Sequence, residues 1–365
     1  MKKFLIKLVL FSSPFIVAQV VELFVLPVDF FTFRVWESLR ITGSTLSTGK
    51  FYPNMNIEKV EVGTLARNTE HAVRRKVTWI TDEYGYRNTK AWEKPDVVII
   101  GDSFIAGDTL SQEELLGEVL QSRLGMKVYS MAPANIRNFL SDPRFIDNPP
   151  DVLILQLVEQ QISSKSIRPP KQDRQKVPWH RLRQRLCRNK FISYIDVTQD
   201  RLFKWTMLEF TRARVTGFLY GANDRTARGR DFLQKDAFFF DNYAFERNTS
   251  GDEIRRIVDT LKEYQQVLAE RAMRFIFLPV PSKRNIYSDF VSDEQPSTFF
   301  ADVIVALKAA QIPTVDLQDA FLRARQKNAG LLLYRLDDSH WSPQAVEITA
   351  ESLTPLIQKT LAGSN

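Results

Sequence analysis

The chain has very little cysteine, since Cys187 is the only one among its 365 residues. A single cysteine excludes an internal disulfide, a cysteine-held iron–sulfur cluster and a Cys-rich zinc site. Internal repeats and low-complexity tracts are also missing. With 44% hydrophobic and 25% charged residues, the composition is that of an ordinary folded protein. It excludes wholesale disorder and a membrane protein of many spans.

The formal net charge of +7 comes from one short part of the chain. Residues 163–190, the basic segment, contain ten Lys or Arg and one acidic residue, which leaves the rest of the chain slightly acidic. A basic protein can bind nucleic acid. Because the charge is confined and no nucleic-acid motif is recognised, we predict no nucleic-acid partner. The segment could instead lie on an anionic membrane surface, meet an anionic polymer or form a solvated loop.

The N-terminus is predicted to anchor the chain in a membrane. Lys2, Lys3 and Lys7 precede an apolar run over residues 8–21, and a second apolar run follows Glu22. A helix needs about 20 residues to cross a bilayer, and the whole stretch is long enough. The positive-inside rule places the lysines in the cytoplasm and the rest of the chain on the other side.

Two other interpretations of this N-terminal stretch stay open. The uninterrupted run is as short as the apolar part of a cleaved signal peptide, although Ile16-Val17-Ala18 makes a poor cleavage site. An amphipathic helix packed on the domain is the other interpretation. We favour a retained single-pass anchor over residues 1–33 in the inner membrane, with the following domain in the periplasm.

Short β-branched apolar runs alternate with helical patterns along the rest of the chain, which predicts a parallel sheet with helices on both faces. Strands are predicted over residues 76–80, 96–100, 127–130, 151–157, 274–280 and 314–317. Helices are predicted over residues 111–124, 253–271, 302–310 and 346–361. We expect a leading segment over 34–95 packed on the core, then one domain over 96–365 with an insertion at about 163–245.

A serine follows the first buried strand, in Gly101-Asp102-Ser103-Phe104. Ligands on parallel sheets bind at the carboxyl ends of the strands, so this serine is well placed for chemistry. A serine hydroxyl is a weak nucleophile unless a base takes its proton. The structural alternative is that Ser103 only caps the following helix.

Three histidines could supply such a base. His71 lies before the sheet begins, and His180 lies in the basic segment. His340 stands just before the last helix, directly after Asp337-Asp338-Ser339. A carboxylate within reach of the imidazole is what a Ser-His-Asp arrangement needs. The alternative is that His340 is a buried hydrogen-bond donor without a catalytic role.

These residues resemble the SGNH/GDSL hydrolase superfamily. Gly101-Asp102-Ser103-Phe104 matches its first block and Asp338-Ser339-His340-Trp341 its last, over roughly residues 80–360. The resemblance implies a three-layer α/β/α, flavodoxin-like parallel sheet. It also implies Ser103 as nucleophile, His340 as general base and then acid, and Asp338 as the orienting carboxylate, with Asp337 at the alternative spacing.

A narrower resemblance is to the AlgX/AlgJ group of polysaccharide O-acetyltransferases. Asp338-Ser339-His340-Trp341-Ser342-Pro343 is similar to a motif of that group, and Pro279-Val280-Pro281-Ser282-Lys283 looks like its strand end. Asp236-Ala237-Phe238-Phe239-Phe240 is similar to its entry sequence. In that group the Asp-His motif precedes the serine block, whereas Ser103 comes first here.

The oxyanion hole implied by the SGNH resemblance departs from the usual residues. Its donors would be the Ser103 amide, Asn135 in the second block and a residue of the third block. Glu159 stands where an asparagine is usual, and an ionised carboxylate cannot donate a hydrogen bond. A protonated Glu159 or the neighbouring Gln160 could donate, or Glu159 could pair with an arginine. The candidate substrate-binding residues are Lys283, for which a solvated position is the alternative, and Trp341.

The resemblance implies a serine-dependent O-acetyltransferase that acts on a cell-envelope polysaccharide. Its acyl donor would be a membrane-bound O-acyltransferase in the inner membrane, and no metal or organic cofactor is implied. Two alternatives stay open. The first is an acetyl-esterase that uses the same residues, and the second is a non-catalytic polysaccharide-binding or scaffold protein.

Overall fold

The computed structural model describes residues 2–43, 46–67, 69–170, 177–220, 226–228, 239–241, 250–290 and 297–363. In chain order, helices α1–α14 span Lys2–Phe24, Val35–Leu39, Ser103–Ala106, Leu116–Leu124, Ile136–Leu140, Pro143–Asp147, Val177–Cys187, Lys190–Lys204, Thr206–Tyr220, Gly251–Ala269, Lys283–Ile286, Phe299–Ala309, Leu317–Lys327 and Pro343–Ala362. Strands β1–β8 span Asn56–Glu61, Arg75–Ile80, Val97–Ile100, Val128–Met131, Val152–Val158, Thr226–Arg228, Phe239–Asp241 and Arg274–Val280.

Four parallel strands form the centre of the fold, in the order β4-β3-β5-β8. All four residues of β3 are buried, and β3 pairs with β4 on one side and β5 on the other. Its sequence of two valines and two isoleucines favours a strand that is covered on both faces. The predicted parallel α/β sheet is therefore confirmed.

Helices cover both faces of this sheet, because successive strand side chains point to opposite sides. Val97 and Ile99 of β3 belong to a core cluster that contains the buried residues of α4 and α14. Val98 and Ile100 belong to a second cluster with the buried residues of α10 and α12. The result is three layers, and the carboxyl ends of the strands share one edge.

A hairpin of β1 and β2 precedes the sheet and packs on the cluster of α4 and α14. The two strands are antiparallel, with Ile57 opposite Trp79. Trp79 and Phe51 are fully buried in the same cluster as Val97 and Ile99. The hairpin therefore lies against the core, while the domain boundaries predicted near residues 33 and 95 stay predictions.

The N-terminal helix α1 covers 23 residues, Lys2–Phe24. By length and composition it is the one helix in the described part of the chain that could cross a membrane. Most of its apolar side chains are exposed, among them Phe11 at 72%. Glu22, which interrupts the apolar pattern, is buried.

Two sequence predictions about secondary structure were wrong. Residues 314–317 make only a single bridge, between Thr314 and Phe277, and not a fifth strand. Helix α13 begins at Leu317 with Asp316 as its N-cap, so little chain remains for a strand. The helix predicted from residue 111 begins as a 3₁₀ turn, and α4 starts only at Leu116.

Between β5 and α10 the described chain contains α7, α8 and α9, together with the small β6–β7 pair. Helix α7, Val177–Cys187, lies within the basic segment. Lys171, Arg174 and Lys176 lie outside the described residues, as do residues 236–238 of the motif that begins at Asp236. The insertion boundaries at about 163 and 245 stay a prediction.

Candidate active site

Ser103 is the first residue of α3, immediately after β3 at the carboxyl edge of the sheet. Asp102, and not Ser103, caps this helix, because its Oδ1 accepts the Phe104 amide at 2.8 Å. The turn needs a glycine at position 101, since a Cβ there would lie 2.4 Å from Gln156 Oε1 and 2.5 Å from an Ile105 carbon. The strand-to-helix turn leaves the Ser103 hydroxyl available to another side chain.

That side chain is His340, which comes from the loop before α14. Its Nε2 lies 2.7 Å from Ser103 Oγ, and its Nδ1 lies 2.5 Å from Asp338 Oδ1. Asp338 Oδ1 also accepts the His340 amide at 3.0 Å, which fixes the short loop between the two residues. The three side chains thus form the serine–base–carboxylate chain that activates a hydroxyl.

The electrostatics favour a proton on His340. Burial lowers the pKa of His340, but the Asp338 carboxylate outweighs burial and raises it to about 9. Burial alone would raise the pKa of Asp338, yet His340 and Arg34 hold it well below its usual range. Asp338 therefore stays ionised, and it stabilises the imidazolium that forms when His340 takes the serine proton.

The two adjacent carboxylates have different partners. Asp337 accepts hydrogen bonds from the Gly63 amide at 2.8 Å and the Val73 amide at 3.0 Å, and it pairs with Arg75. In the described part of the chain its hydrogen bonds go to Gly63, Val73 and Arg75, and His340 bonds Asp338 instead. Asp337 thus ties the His340 loop to the β1–β2 hairpin, while Asp338 orients the imidazole.

The same hairpin also holds Asp338. Its Oδ2 accepts the Thr64 amide at 2.8 Å and the Thr64 hydroxyl at 3.1 Å. The leading segment carries none of the predicted catalytic residues, yet it positions the Asp338 carboxylate that contacts His340. Sequence reasoning missed Thr64, because nothing in the local sequence shows that this turn meets a loop more than 270 residues later.

Ser103 opens into a cavity of about 780 Å³. Basic side chains from three parts of the chain line it, and Asp102 and Asp142 are the lining carboxylates. The lining basic residues are Arg40, Lys50, His180 and Arg183. The sequence placed His180 and Arg183 only in the basic segment, whereas the structure brings both of them to the cavity that contains Ser103.

The predicted oxyanion residues do not all reach this cavity. Asn135 caps α5, with its side chain on the Asn138 amide, and Asn138 rather than Asn135 lines the cavity. Likewise Gln161 lines the cavity and Gln160 does not. Glu159 is buried and accepts the Ser282 amide at 2.8 Å, so it serves the backbone after β8.

Neither Lys283 nor Trp341 lines the cavity, although the predicted substrate-binding role would require it. Lys283 is 4% exposed and donates to the carbonyls of Arg335, Leu336 and Asp338 at 2.5, 3.1 and 2.8 Å. Because an ammonium has three protons, these bonds engage it fully in holding the His340 loop. Trp341 is fully buried and packs edge-on against Phe104.

No group of three or more His, Cys, Asp or Glu side chains that could hold a metal occurs among the described residues. The imidazole that contacts Ser103 is that of His340, while His71 Nε2 lies 3.7 Å from Glu70. The described site brings together a hydroxyl, an imidazole and a carboxylate beside a cavity with basic lining residues.

Comparison with known proteins places a family match on the C-terminal part of the chain. Residues 233–365 match the model of the SGNH hydrolase-like domain of the acetyltransferase AlgX. This segment contains Lys283, Asp338 and His340, whereas Ser103 lies before it.

Curated relatives come from three Pseudomonas species. The protein called "Probable alginate O-acetylase AlgJ" from Pseudomonas aeruginosa is 26% identical over 160 residues, which cover 42% of this chain and 40% of that protein. Its namesake from Pseudomonas syringae pv. tomato is 25% identical over 128 residues, 33% of this chain and 32% of that protein. The chain thus spans two fifths or less of the length of these relatives.

Among solved structures, the acetyl xylan esterase AlAXEase is similar at 12% identity and a TM-score of 0.34. The comparison covers 72% of this chain and 99% of that one.

Proposed function

We propose that this chain is a serine-dependent O-acetyltransferase of a cell-envelope polysaccharide, because residues 233–365 match the SGNH hydrolase-like domain of AlgX and part of the chain is similar to AlgJ. The observation that carries the proposal is the contact of Ser103 Oγ with His340 Nε2 at 2.7 Å, backed by Asp338 at 2.5 Å. The relatives' names supply the class of substrate, and the geometry supplies the chemistry.

In the first half-reaction, Ser103 Oγ attacks the carbonyl carbon of the acyl donor while its proton passes to His340 Nε2. The tetrahedral intermediate then loses the donor's leaving group, which takes that proton from His340. An acetyl ester remains on Ser103. Asp338 stays ionised throughout and stabilises the imidazolium.

In the second half-reaction, a sugar hydroxyl gives its proton to His340 and attacks the ester carbonyl. Collapse of the second tetrahedral intermediate leaves the acetyl group on the sugar and returns the proton to Ser103. The acceptor would lie in the 780 Å³ cavity that Ser103 opens into. Carbohydrate hydroxyls suit this polar cavity better than an acyl chain would.

Donors for the oxyanion are available at this site. The Ser103 amide has no partner within α3, because the first amides of a helix are left unpaired. The Asn138 and Gln161 side chains line the same cavity and can donate. We propose these groups in place of Asn135 and Gln160, and removing a single oxyanion donor costs about 10²–10³ in kcat in other enzymes.

An esterase would use the same residues, with water as acceptor in the second half-reaction. The basic lining of the cavity by Arg40, Lys50 and Arg183 favours a polymer with anionic or strongly polar groups over a small neutral ester. A non-catalytic binding protein would have no need of the 2.7 Å contact between Ser103 and His340.

The localisation is part of the proposal. Helix α1 would anchor the chain in the inner membrane, with Lys2, Lys3 and Lys7 on the cytoplasmic side and the folded domain over residues 96–365 in the periplasm. A membrane-bound O-acyltransferase would then deliver the acyl group from the same membrane.

The test is the acetyl content of the polysaccharide in the native host with the Ser103→Ala variant. Ser352→Ala on the distant helix α14 is the matched control. We expect Ser103→Ala to abolish acetylation and Ser352→Ala to leave it unchanged. A serine-reactive phosphonate should add at Ser103 in the folded wild-type chain. Normal acetylation with Ser103→Ala would overturn the proposal.

A further inference from the structure

Helix α8, Lys190–Lys204, has its polar side against the protein and its apolar side outward. Asp196, Asp200 and Lys204 recur every four residues and therefore share one face. Asp200 accepts the Gly43 amide at 2.6 Å and the Tyr52 hydroxyl at 2.7 Å. Helices on the surface of a soluble protein bury the opposite, apolar face.

Other contacts complete the inner face of α8. Asp196 accepts the Leu46 amide at 2.9 Å. Lys204 donates to the carbonyls of Glu37, Ser38 and Arg40 at 2.6, 3.0 and 2.8 Å. The charged groups are thus used inside the protein, which fixes the rotation of the helix about its axis.

The outer face of α8 is apolar and exposed. Phe191 and Phe203 are 72% and 76% exposed, and Tyr194, Ile195 and Leu202 lie between them on the surface. Helix α9 also exposes apolar side chains, since Leu208, Val215 and Phe218, which are seven and then three residues apart, are 57%, 51% and 90% exposed. Large apolar side chains exposed together on a helix mark a surface that contacts a membrane or a protein.

The apolar surface of α8 continues onto α1, because α1 and α8 are joined by hydrogen bonds. Arg201 donates to the carbonyls of Leu23 and Glu22 at 3.1 and 2.7 Å, at the carboxyl end of α1. The Glu22 carboxylate in turn accepts the amides of Thr206 and Met207, the first residues of α9, at 3.0 and 3.3 Å. The buried Glu22 that interrupts the apolar sequence is therefore the acceptor at the start of α9.

Between α1 and α8 lies an open apolar groove of about 930 Å³. Phe15, Ile16 and Val20 line it from α1, and Ile195, Leu202 and Phe203 line it from α8. One wall of the groove therefore belongs to α1, the helix that can cross a membrane. The other wall belongs to α8, whose apolar side faces outward.

We propose that the outer faces of α8 and α9 lie in the surface of the lipid bilayer, with acyl chains in the groove beside α1. The inference rests on the membrane attachment proposed above. Lipid is the occupant because the patch is continuous with a candidate membrane span. The exposed Lys190 of α8 and Arg212 of α9 suit anionic headgroups. Exposed aromatic side chains such as Phe203 are typical of interfacial helices.

This surface would also place the active site near the membrane. Residues 40–43, which bind the inner face of α8 through Asp200 and Lys204, line the cavity of Ser103. Helix α8 therefore lies between the bilayer and one wall of that cavity. An acyl group delivered at the membrane surface would have a short distance to travel.

The test uses the full chain in bilayers of phosphatidylethanolamine and phosphatidylglycerol. A fluorophore is attached to a cysteine that replaces Phe203, Phe11 or Glu351 in a Cys187→Ser chain. Phe11 in α1 reports insertion, and the exposed Glu351 on α14 is the water-facing control. Quenching by lipid-borne nitroxides is compared with quenching by iodide in water.

We expect nitroxide lipids to quench the Phe203 label several-fold more strongly than the Glu351 label, with iodide giving the reverse order. If the Phe11 label is quenched by lipid while the Phe203 label behaves like that at Glu351, the inference is overturned and the anchor stands. A Phe203 label shielded from both quenchers would mean that a second copy of the chain covers the patch, and this also overturns the inference. A Phe11 label that reports water would refute the membrane attachment itself.

Discussion

Replacing Asp338 by asparagine should shift the pH dependence of the reaction as well as slow it. Asp338 raises the pKa of His340 from 6.5 to about 9 against the opposing effect of burial. That difference corresponds to about 3 kcal/mol in favour of the imidazolium. An amide carries no charge, so in the Asp338→Asn chain burial and Arg34 would lower the pKa of His340 against the smaller opposing effect of Asp108. The pKa should therefore fall towards its ordinary value or below.

The sign of the shift follows from the role of His340 as a base. Only the neutral imidazole can take the serine proton, so the acylation rate of the wild type should rise as pH passes through about 9. In Asp338→Asn the midpoint should move to about 6.5 or lower. The plateau rate should fall by up to about 10⁴-fold, because the amide no longer fixes the tautomer of the imidazole.

The assay is the pH profile of p-nitrophenol release from p-nitrophenyl acetate by the full chain in detergent. Ser103→Ala supplies the background rate. Asp337→Asn is the matched control, since Asp337 bonds the Gly63 and Val73 amides and not His340. It should lower the melting temperature and leave the pH midpoint in place. An unchanged midpoint in Asp338→Asn, or a shifted one in Asp337→Asn alone, would refute the assignment.

Three further changes test other parts of the structure. Gly101→Ala should lower the free energy of unfolding by about 1–3 kcal/mol in chemical denaturation and remove phosphonate labelling, because its Cβ would lie 2.4 Å from Gln156 Oε1. Thr64→Val should slow acylation by about tenfold at most, since it removes one of two hydrogen bonds to Asp338; Thr64→Ser should restore the rate, and equal rates for all three chains would contradict this. Glu22→Ala removes the acceptor at the start of α9, which should cost about 1 kcal/mol of stability. The α1–α9 junction should then become open to limited proteolysis, and an unchanged cleavage pattern would argue against this role of Glu22.

The sequence predicted much of the sheet because buried strands have a local signature. The run of valines and isoleucines at β3 has no polar face, and such a run occurs in few settings other than the middle of a parallel sheet. The bridge at Thr314 shows the limit of this approach. Its local pattern is that of a strand, but the N-cap at Asp316 starts a helix directly afterwards.

Side-chain roles that depend on packing could not be predicted in the same way. Lys283 after β8 looked free to bind substrate, yet its ammonium is buried on three carbonyls of the His340 loop. Asn135 stood at the expected block position, where its backbone amide was the predicted donor, but Asn138 of the following helix lines the cavity in its place. Neither outcome has a signal in the local residue pattern.

By itself the sequence determined the alternation of strands and helices, the apolar N-terminal helix, and the choice of Ser103 and His340, because periodicity and residue type are local properties. Only the tertiary structure decided that these two side chains, 237 positions apart, meet at 2.7 Å. It also decided that Thr64 supports Asp338 and that the basic helix α7 lines the Ser103 cavity. The same holds for α8, whose charged side faces inward. Which face of an amphipathic helix is buried depends on what surrounds it. Here the polar groups of Thr42, Gly43 and Tyr52 bind the inner face and leave the apolar face outside.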